Sequence, residues 1–116
     1  MMKEFVLEIK KSKFLAFMLE TTDPQEPLAM YETLKKEHKK ANHVCYAFKI
    51  VNNGVESVKF FDDGEPGGTP GRPILSVIEK KGLKNVAVFV VRYFGGIKLG
   101  AGGLVRAYSK AASGVL

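Results

Sequence analysis

The 116-residue sequence predicts an α+β domain, a two-layer sandwich with helices on one face of a mixed sheet, in the order ββαββαβα. Two observations carry this. Apolar residues change period along the chain, from every second position to every third or fourth and back, as strands give way to helices. Two glycine-rich breaks then each lead from an apolar strand into a helical pattern, which points to interleaved elements packed as layers. The length is that of one domain with a real core, so residues 1–116 are read as a single domain.

The first two strands fall within residues 4–20, separated near residues 10–12. Phe5, Leu7 and Ile9 alternate with charged or smaller neighbours, while the second strand is apolar on both faces and is placed inside the sheet. Asp23, Pro24 and Glu26 then form a helix-start signal, a capping residue, a first-turn proline and a capping-box partner. Leu28, Tyr31, Leu34 and Ala41 give that helix its apolar stripe, and it is expected to end near Asn42. Val44, Tyr46, Phe48 and Ile50 alternate with His43, Cys45, Ala47 and Lys49 as a strand. Asn52-Asn53-Gly54 is a hairpin turn into the next strand, because Asn and Gly accept positive φ.

Residues 62–73, DDGEPGGTPGRP, hold four glycines and three prolines and cannot continue a regular element. Ile74, Leu75, Val77 and Ile78 supply the stripe of a second helix, stopped by Gly82. The run 86–91 is a buried strand; at six residues no apolar block in the chain is longer, far short of the roughly 18 a membrane span needs. A second glycine segment follows, and the final helix has Leu104, Ala107, Tyr108 and Ala111 inward and Arg106, Ser109, Lys110 and Ser113 outward.

Composition is ordinary for a globular protein, 46% hydrophobic and 26% charged, but the net charge of +6 is uneven. Residues 1–79 contain eleven Lys/Arg against twelve Asp/Glu, whereas residues 80–116 contain seven basic residues and no acidic one. The excess therefore sits in the last third, where a local field attracts anions. The N-terminus lacks an apolar signal core. The lone Cys45 excludes an internal disulfide and fits a reducing compartment, where a disulfide-linked partner is not expected. The expected location is the cytoplasm, with no membrane partner.

The candidate site is the stretch from strand through glycine loop to basic helix. Small residues let backbone N–H groups approach an anion, and a helix N-terminus adds partial positive charge. Phosphate or nucleic-acid binding is assigned to Arg92, Lys98, Arg106 and Lys110, with the amides of Gly95, Gly96, Gly100, Gly102 and Gly103. Arg106 and Lys110 form an i, i+4 like-charge pair, slightly destabilising in isolation. Neither the Walker nor the dinucleotide fingerprint is present, so no cofactor is expected. Tyr93 and Phe94 are better base-stacking candidates than Tyr108, against packing as the commoner role of aromatics at a strand end. The first glycine segment, with Asp62, Asp63, Glu65 and Arg72, is the second loop of the site if both helix starts open at one end. Its carboxylates would suit a metal or acid–base work, or equally caps and ion pairs; no metal is assigned. His43 and Cys45, at i, i+2, stand roughly 7 Å apart, too far for a nucleophilic pair. His38, among lysines, is read as solvated surface.

Three strings carry a resemblance: NHVCYA at 42–47, FDDGEPGGTPGRPIL at 61–75 and RYFGGIKLGAGGLVRAY at 92–108, with KSKF at 11–14 before them. Together they resemble the YigZ/Impact family across nearly the whole chain. The resemblance implies the fold shared by domain four of elongation factor G and a small-subunit ribosomal protein, with an atypical left-handed crossover. It also implies a translation-linked regulatory role, since eukaryotic Impact opposes a starvation-responsive initiation kinase, a stress response. Bacterial members usually continue into a ferredoxin-like second domain, expected to be absent here. Gly67 and Pro70 stand where serine and alanine are common in the family.

The function expected is a non-enzymatic regulatory domain that binds RNA or a ribosome-associated protein through the basic loop and helix. The alternatives are a protein-interaction module for an acidic partner and a small metal-dependent enzyme acting on a phosphorylated substrate. No nucleophile or metal-ligand cluster presents itself as catalytic.

Overall fold

The computed structural model describes residues 2–65, 67–68 and 70–116; Pro66 and Thr69 of the first glycine segment lie outside them. The chain runs β1 (Lys3–Ile9), β2 (Ser12–Glu20), α1 (Gln25–Glu37), β3 (His43–Asn52), β4 (Val55–Phe61), α2 (Gly71–Lys80), β5 (Val86–Tyr93) and α3 (Gly100–Val115), which is the expected α+β order. The five strands form one open sheet ordered β1-β2-β5-β3-β4. The apolar run of β5 takes a central position with nearly every residue buried, because both its faces can then be covered. β2 is internal, as its two apolar faces require.

Two expectations are corrected. Every strand pairing is antiparallel, so the sheet is not mixed. β2 and β3 do run parallel, as do β4 and β5, but each of these pairs is separated by an intervening strand of opposite direction. Alternation within a strand says which residues face inward and nothing about which strand lies alongside. The helices also occupy both faces rather than one. α2 and α3 pack with Phe14, Ala16, Cys45, Ala47, Val88 and Val90, whereas Leu28, Met30, Tyr31 and Leu34 of α1 pack on the other side with Phe17, Val44, Tyr46, Phe48 and Phe89.

This arrangement contains a chirality. β2–α1–β3 and β4–α2–β5 each step over one strand and cross the sheet in opposite senses, on opposite faces, between strands of opposite direction. The two crossovers therefore have opposite hands, and one is left-handed, against the strong right-handed rule. That is the feature the family resemblance implied.

Local signals largely act as written. Asn53 and Gly54 have φ of 52° and 77°, the two-residue turn joining β3 to β4. Asp23 Oδ1 accepts the Gln25 N–H at 2.9 Å, although α1 starts one residue later than Pro24 and ends at Glu37, earlier than Asn42. No described helix is long and apolar enough to cross a membrane.

Candidate functional site: one end of the sheet

The sheet topology decides what comes together. Because β4 and β5 run in the same direction, both glycine segments leave the sheet at one end. The antiparallel neighbours β2 and β3 begin there, with Lys13 opposite Tyr93 and His43 opposite Arg92. The β1–β2 turn, Lys10-Lys11, and the start of β3 therefore join the two loops. The two loops converge through contacts of their own.

In the first loop every carboxylate has a protein partner. Asp62 Oδ1 accepts the Gly71 N–H at 2.8 Å, satisfying a donor at the start of α2 that would otherwise be orphaned. Asp63 accepts the Val44 N–H at 2.7 Å and the Lys35 ammonium at 3.1 Å, and Tyr31 donates to it at 3.4 Å. Glu65, with its side chain fully buried, accepts from the Arg92 guanidinium and from the Tyr108 hydroxyl. His43 Nε2 lies 3.5 Å from the same carboxylate, and its Nδ1 is 2.9 Å from the Asp63 carbonyl. Burial pushes the Tyr108 phenol up, reinforced by Cys45 and Glu65 beside it, so Tyr108 stays a donor. Burial likewise pushes up the Cys45 thiol, which donates to the Asp62 carbonyl at 3.2 Å and is held far from thiolate reactivity. Among the described residues no group of His, Cys, Asp or Glu is arranged to hold a metal ion. Arg72 is exposed and lies over the Phe60 ring at 5.1 Å.

Arg92 is placed differently from the phosphate contact expected of it. It is 5% exposed, sandwiched between the rings of Phe14 at 5.6 Å and Phe94 at 5.5 Å, and its charge is spent on Glu65. Its Nη2 also reaches Ser12 Oγ at 3.4 Å. The Gly95 amide is taken too, donating to the same Ser12 Oγ at 3.2 Å. A Cβ on Gly95 would stand 2.0 Å from the Lys11 carbonyl, so this glycine serves the close approach of hairpin and loop.

The second loop is otherwise uncommitted. Gly96 is exposed, and Gly100, with φ of 74°, turns the chain into α3. That helix opens on Gly100, Ala101, Gly102 and Gly103 with no side-chain cap and no acidic residue in its first turn. Among the described residues, no side-chain cap or acidic group answers its first amides and its partial positive charge. The Arg106 guanidinium folds back over Gly102, Nη1 lying 3.3 Å from where a Cβ would be. Lys98, Arg106 and Lys110 are exposed, and none forms an ion pair among the described residues. Gly103 is half-buried against Leu99. Lys110 sits further along α3, on its outer face.

A cleft of about 420 Å³ is lined by Glu65 and Gly67 of the first loop, by Lys98 to Ala101 of the second loop and the start of α3, and by Asn42, His43, Arg92 and Phe94. Asn42 Oδ1 accepts the Phe94 N–H at 2.8 Å. Of the two stacking candidates, Phe94 borders this cleft and is 46% exposed. Tyr93 instead turns to α1, its hydroxyl 2.6 Å from His38 Nδ1, so His38 is half-buried and not the free surface residue expected. Asn42, His43 and the Lys10-Lys11 turn join the site without a sequence pattern that assigns them to it. The turn does leave a trace in the sequence, two lysines at a strand break where Asn-Gly is the usual pair.

The Impact N-terminal domain family matches residues 10–116. The chain is 46% identical over 110 residues to IMPACT family member YvyE of Bacillus subtilis, covering 95% of this chain and 50% of that protein. It is 41% identical over 104 residues to IMPACT family member YigZ of Escherichia coli, covering 89% and 51%. Among solved structures, the crystal structure of a hypothetical protein superposes with a TM-score of 0.88 at 38% identity, covering 98% of this chain and 56% of that one. The two-domain translational regulator Yih1 superposes with a TM-score of 0.65 at 30% identity, covering 98% and 45%. The chain thus spans about half the length of the curated relatives it matches. On sequence and on fold alike, it belongs to the Impact N-terminal domain family.

Proposed function

We propose that this domain is a cytoplasmic, translation-linked regulatory domain that binds RNA phosphates through the face formed by the second glycine loop and α3. The observation that carries the reading is a set of positive groups at one end of the sheet with no anionic partner among the described residues: the N-terminus of α3, Lys98 and Arg106, extended by Lys110. Lys10 and Lys11, exposed on the adjoining hairpin, enlarge the same face. Similarity to a translational regulator supports the translational setting. RNA is favoured over an acidic protein because backbone amides at a helix start fit phosphate oxygens and because Phe94 offers a stacking surface beside them. An enzymatic role has no support from the first loop, whose carboxylates are all engaged by protein donors.

Binding is expected to be led by backbone shape and to weaken with salt. Filter binding to a structured RNA checks this: Arg106→Glu with Lys110→Glu is expected to lower affinity by at least about tenfold at moderate salt. Unchanged affinity removes the reading. A lysate partner whose capture survives nuclease treatment and depends on the same two residues would favour the acidic-protein reading instead.

A further inference from the structure

We propose that the cleft between the two glycine loops is a pocket for one nucleoside monophosphate unit, its phosphate on the amides that open α3 and its base against Phe94. The inference rests on the reading of this face as an RNA surface, and narrows it from a diffuse basic patch to a defined subsite.

Four observations converge on that chemistry. The volume, about 420 Å³, lies in the range of small-ligand pockets. One wall is the uncapped, acid-free start of α3 with Lys98 beside it, which matches a single phosphate group. Another part of the lining is Arg92, whose side chain is 6% exposed and whose Nε has no hydrogen-bond partner among the described residues. A buried donor left without an acceptor is costly in an apolar setting, and the field of an anion in the cleft, which this shielded atom does not itself touch, offsets part of that cost. Glu65 also lines the cleft, but its charge is already balanced by Arg92.

The remaining side fits a base. Phe94 is backed by the Arg92 guanidinium at 5.5 Å and leaves 46% of its surface exposed, a stacking platform that tolerates any base. Asn42 is fixed in its orientation, because its Oδ1 must accept the Phe94 N–H at 2.8 Å. Its amide nitrogen is then the donor left over for a carbonyl or ring nitrogen on a base edge. Phosphate at one end and stacking plus one donor at the other describe a mononucleotide more closely than an inorganic anion or an aliphatic phosphoester.

The unit can be a free mononucleotide or the phosphorylated end of a strand, and calorimetry separates them. The probes are inorganic phosphate, adenosine 5′-monophosphate, and a short oligoribonucleotide with either a 5′-phosphate or a 5′-hydroxyl. Saturable binding of the mononucleotide, tighter than inorganic phosphate, supports the pocket. Preference for the 5′-phosphorylated strand assigns it to strand ends, and equal or weaker binding of that strand assigns it to the free nucleotide. Phe94→Ala is expected to weaken mononucleotide binding about tenfold and leave phosphate binding unchanged. Ala101→Asp puts a carboxylate in the first turn of α3, which favours the helix and opposes the ligand, so it is expected to raise the unfolding midpoint while removing binding. A mononucleotide that does not saturate at millimolar concentration overturns the pocket, as does binding indifferent to both substitutions or no tighter than phosphate. If Arg106→Glu with Lys110→Glu leaves RNA affinity unchanged while the mononucleotide still binds, the extended face falls and the pocket stands.

Discussion

The two glycine segments look alike in sequence, each leading from a strand into a helix at the same end of the sheet, yet the protein uses them in opposite ways. The first is a latch. Asp62, Asp63 and Glu65 each accept from donors on β3, α1, α2 or β5, so its charges are consumed in holding the end of the molecule together. The second keeps its charges and most of its amides for something else. It gives up Arg92 to Glu65 of the latch and the Gly95 N–H to Ser12 Oγ at the start of β2, and presents Lys98, Arg106 and the start of α3. Glycine content marks neither role; what separates the loops is whether each polar group has found a partner.

The largest expected effect lies in the latch. Glu65→Ala leaves the Arg92 guanidinium buried without its counter-charge and Tyr108 without its acceptor, a loss of roughly 3–5 kcal/mol, read as a lower denaturation midpoint. A change under about 1 kcal/mol would mean that the buried pair does not organise this end. Gly95→Ala comes next, because its Cβ would meet the Lys11 carbonyl at 2.0 Å. The hairpin and loop must separate, at about 1–3 kcal/mol, and the same equilibrium unfolding experiment checks it.

A smaller effect, with opposite signs in two readouts, is expected at the hairpin. Lys10 and Lys11 hold φ of 47° and 68°, a conformation that costs non-glycine residues roughly 1–2 kcal/mol each. Replacing the pair by Asn-Gly, the natural residues for this turn, is expected to raise thermal stability and to lower RNA affinity. Stability and affinity rising together would detach the hairpin from the binding face.

The weakest expected effect belongs to the latch's outer contact. Burial, then the Asp63 carboxylate, pushes the Tyr31 phenol from 10.0 up to about 12. The unfolded chain ionises first, so the contribution of Tyr31 is complete below pH 10 and is lost as pH rises through about 12. Alkaline unfolding followed with wild type and Tyr31→Phe checks it: the wild type alone should lose this increment in that window.

Much of this was legible in the sequence, for identifiable reasons. The β3–β4 hairpin was fixed by Asn53-Gly54 and the stripe of α3 by Leu104, Ala107, Tyr108 and Ala111, since both depend on local conformation and period. The antiparallel sheet and the placement of α1 opposite α2 and α3 were not, because the relevant neighbours are tens of residues apart and alternation is blind to them. The same limit explains Arg92. Its position before a glycine loop reads as an anion contact, while the Glu65 that engages it lies 27 positions away. Charge clustering marks the last third as basic but does not separate spent charges from free ones, and the reading of His38 as free surface fails because Tyr93 reaches it from another element.

The central claim, that the latch is closed and the second loop is open for phosphate, is tested most directly by the salt dependence of RNA binding in Lys98→Glu, Arg106→Glu, Lys110→Glu combined. The expected result is an unfolding midpoint close to wild type together with a log K against log salt slope shallower by about 2, roughly 0.7 for each single-strand phosphate that the protein no longer neutralises. A slope equal to that of wild type, with the fold intact, would contradict it.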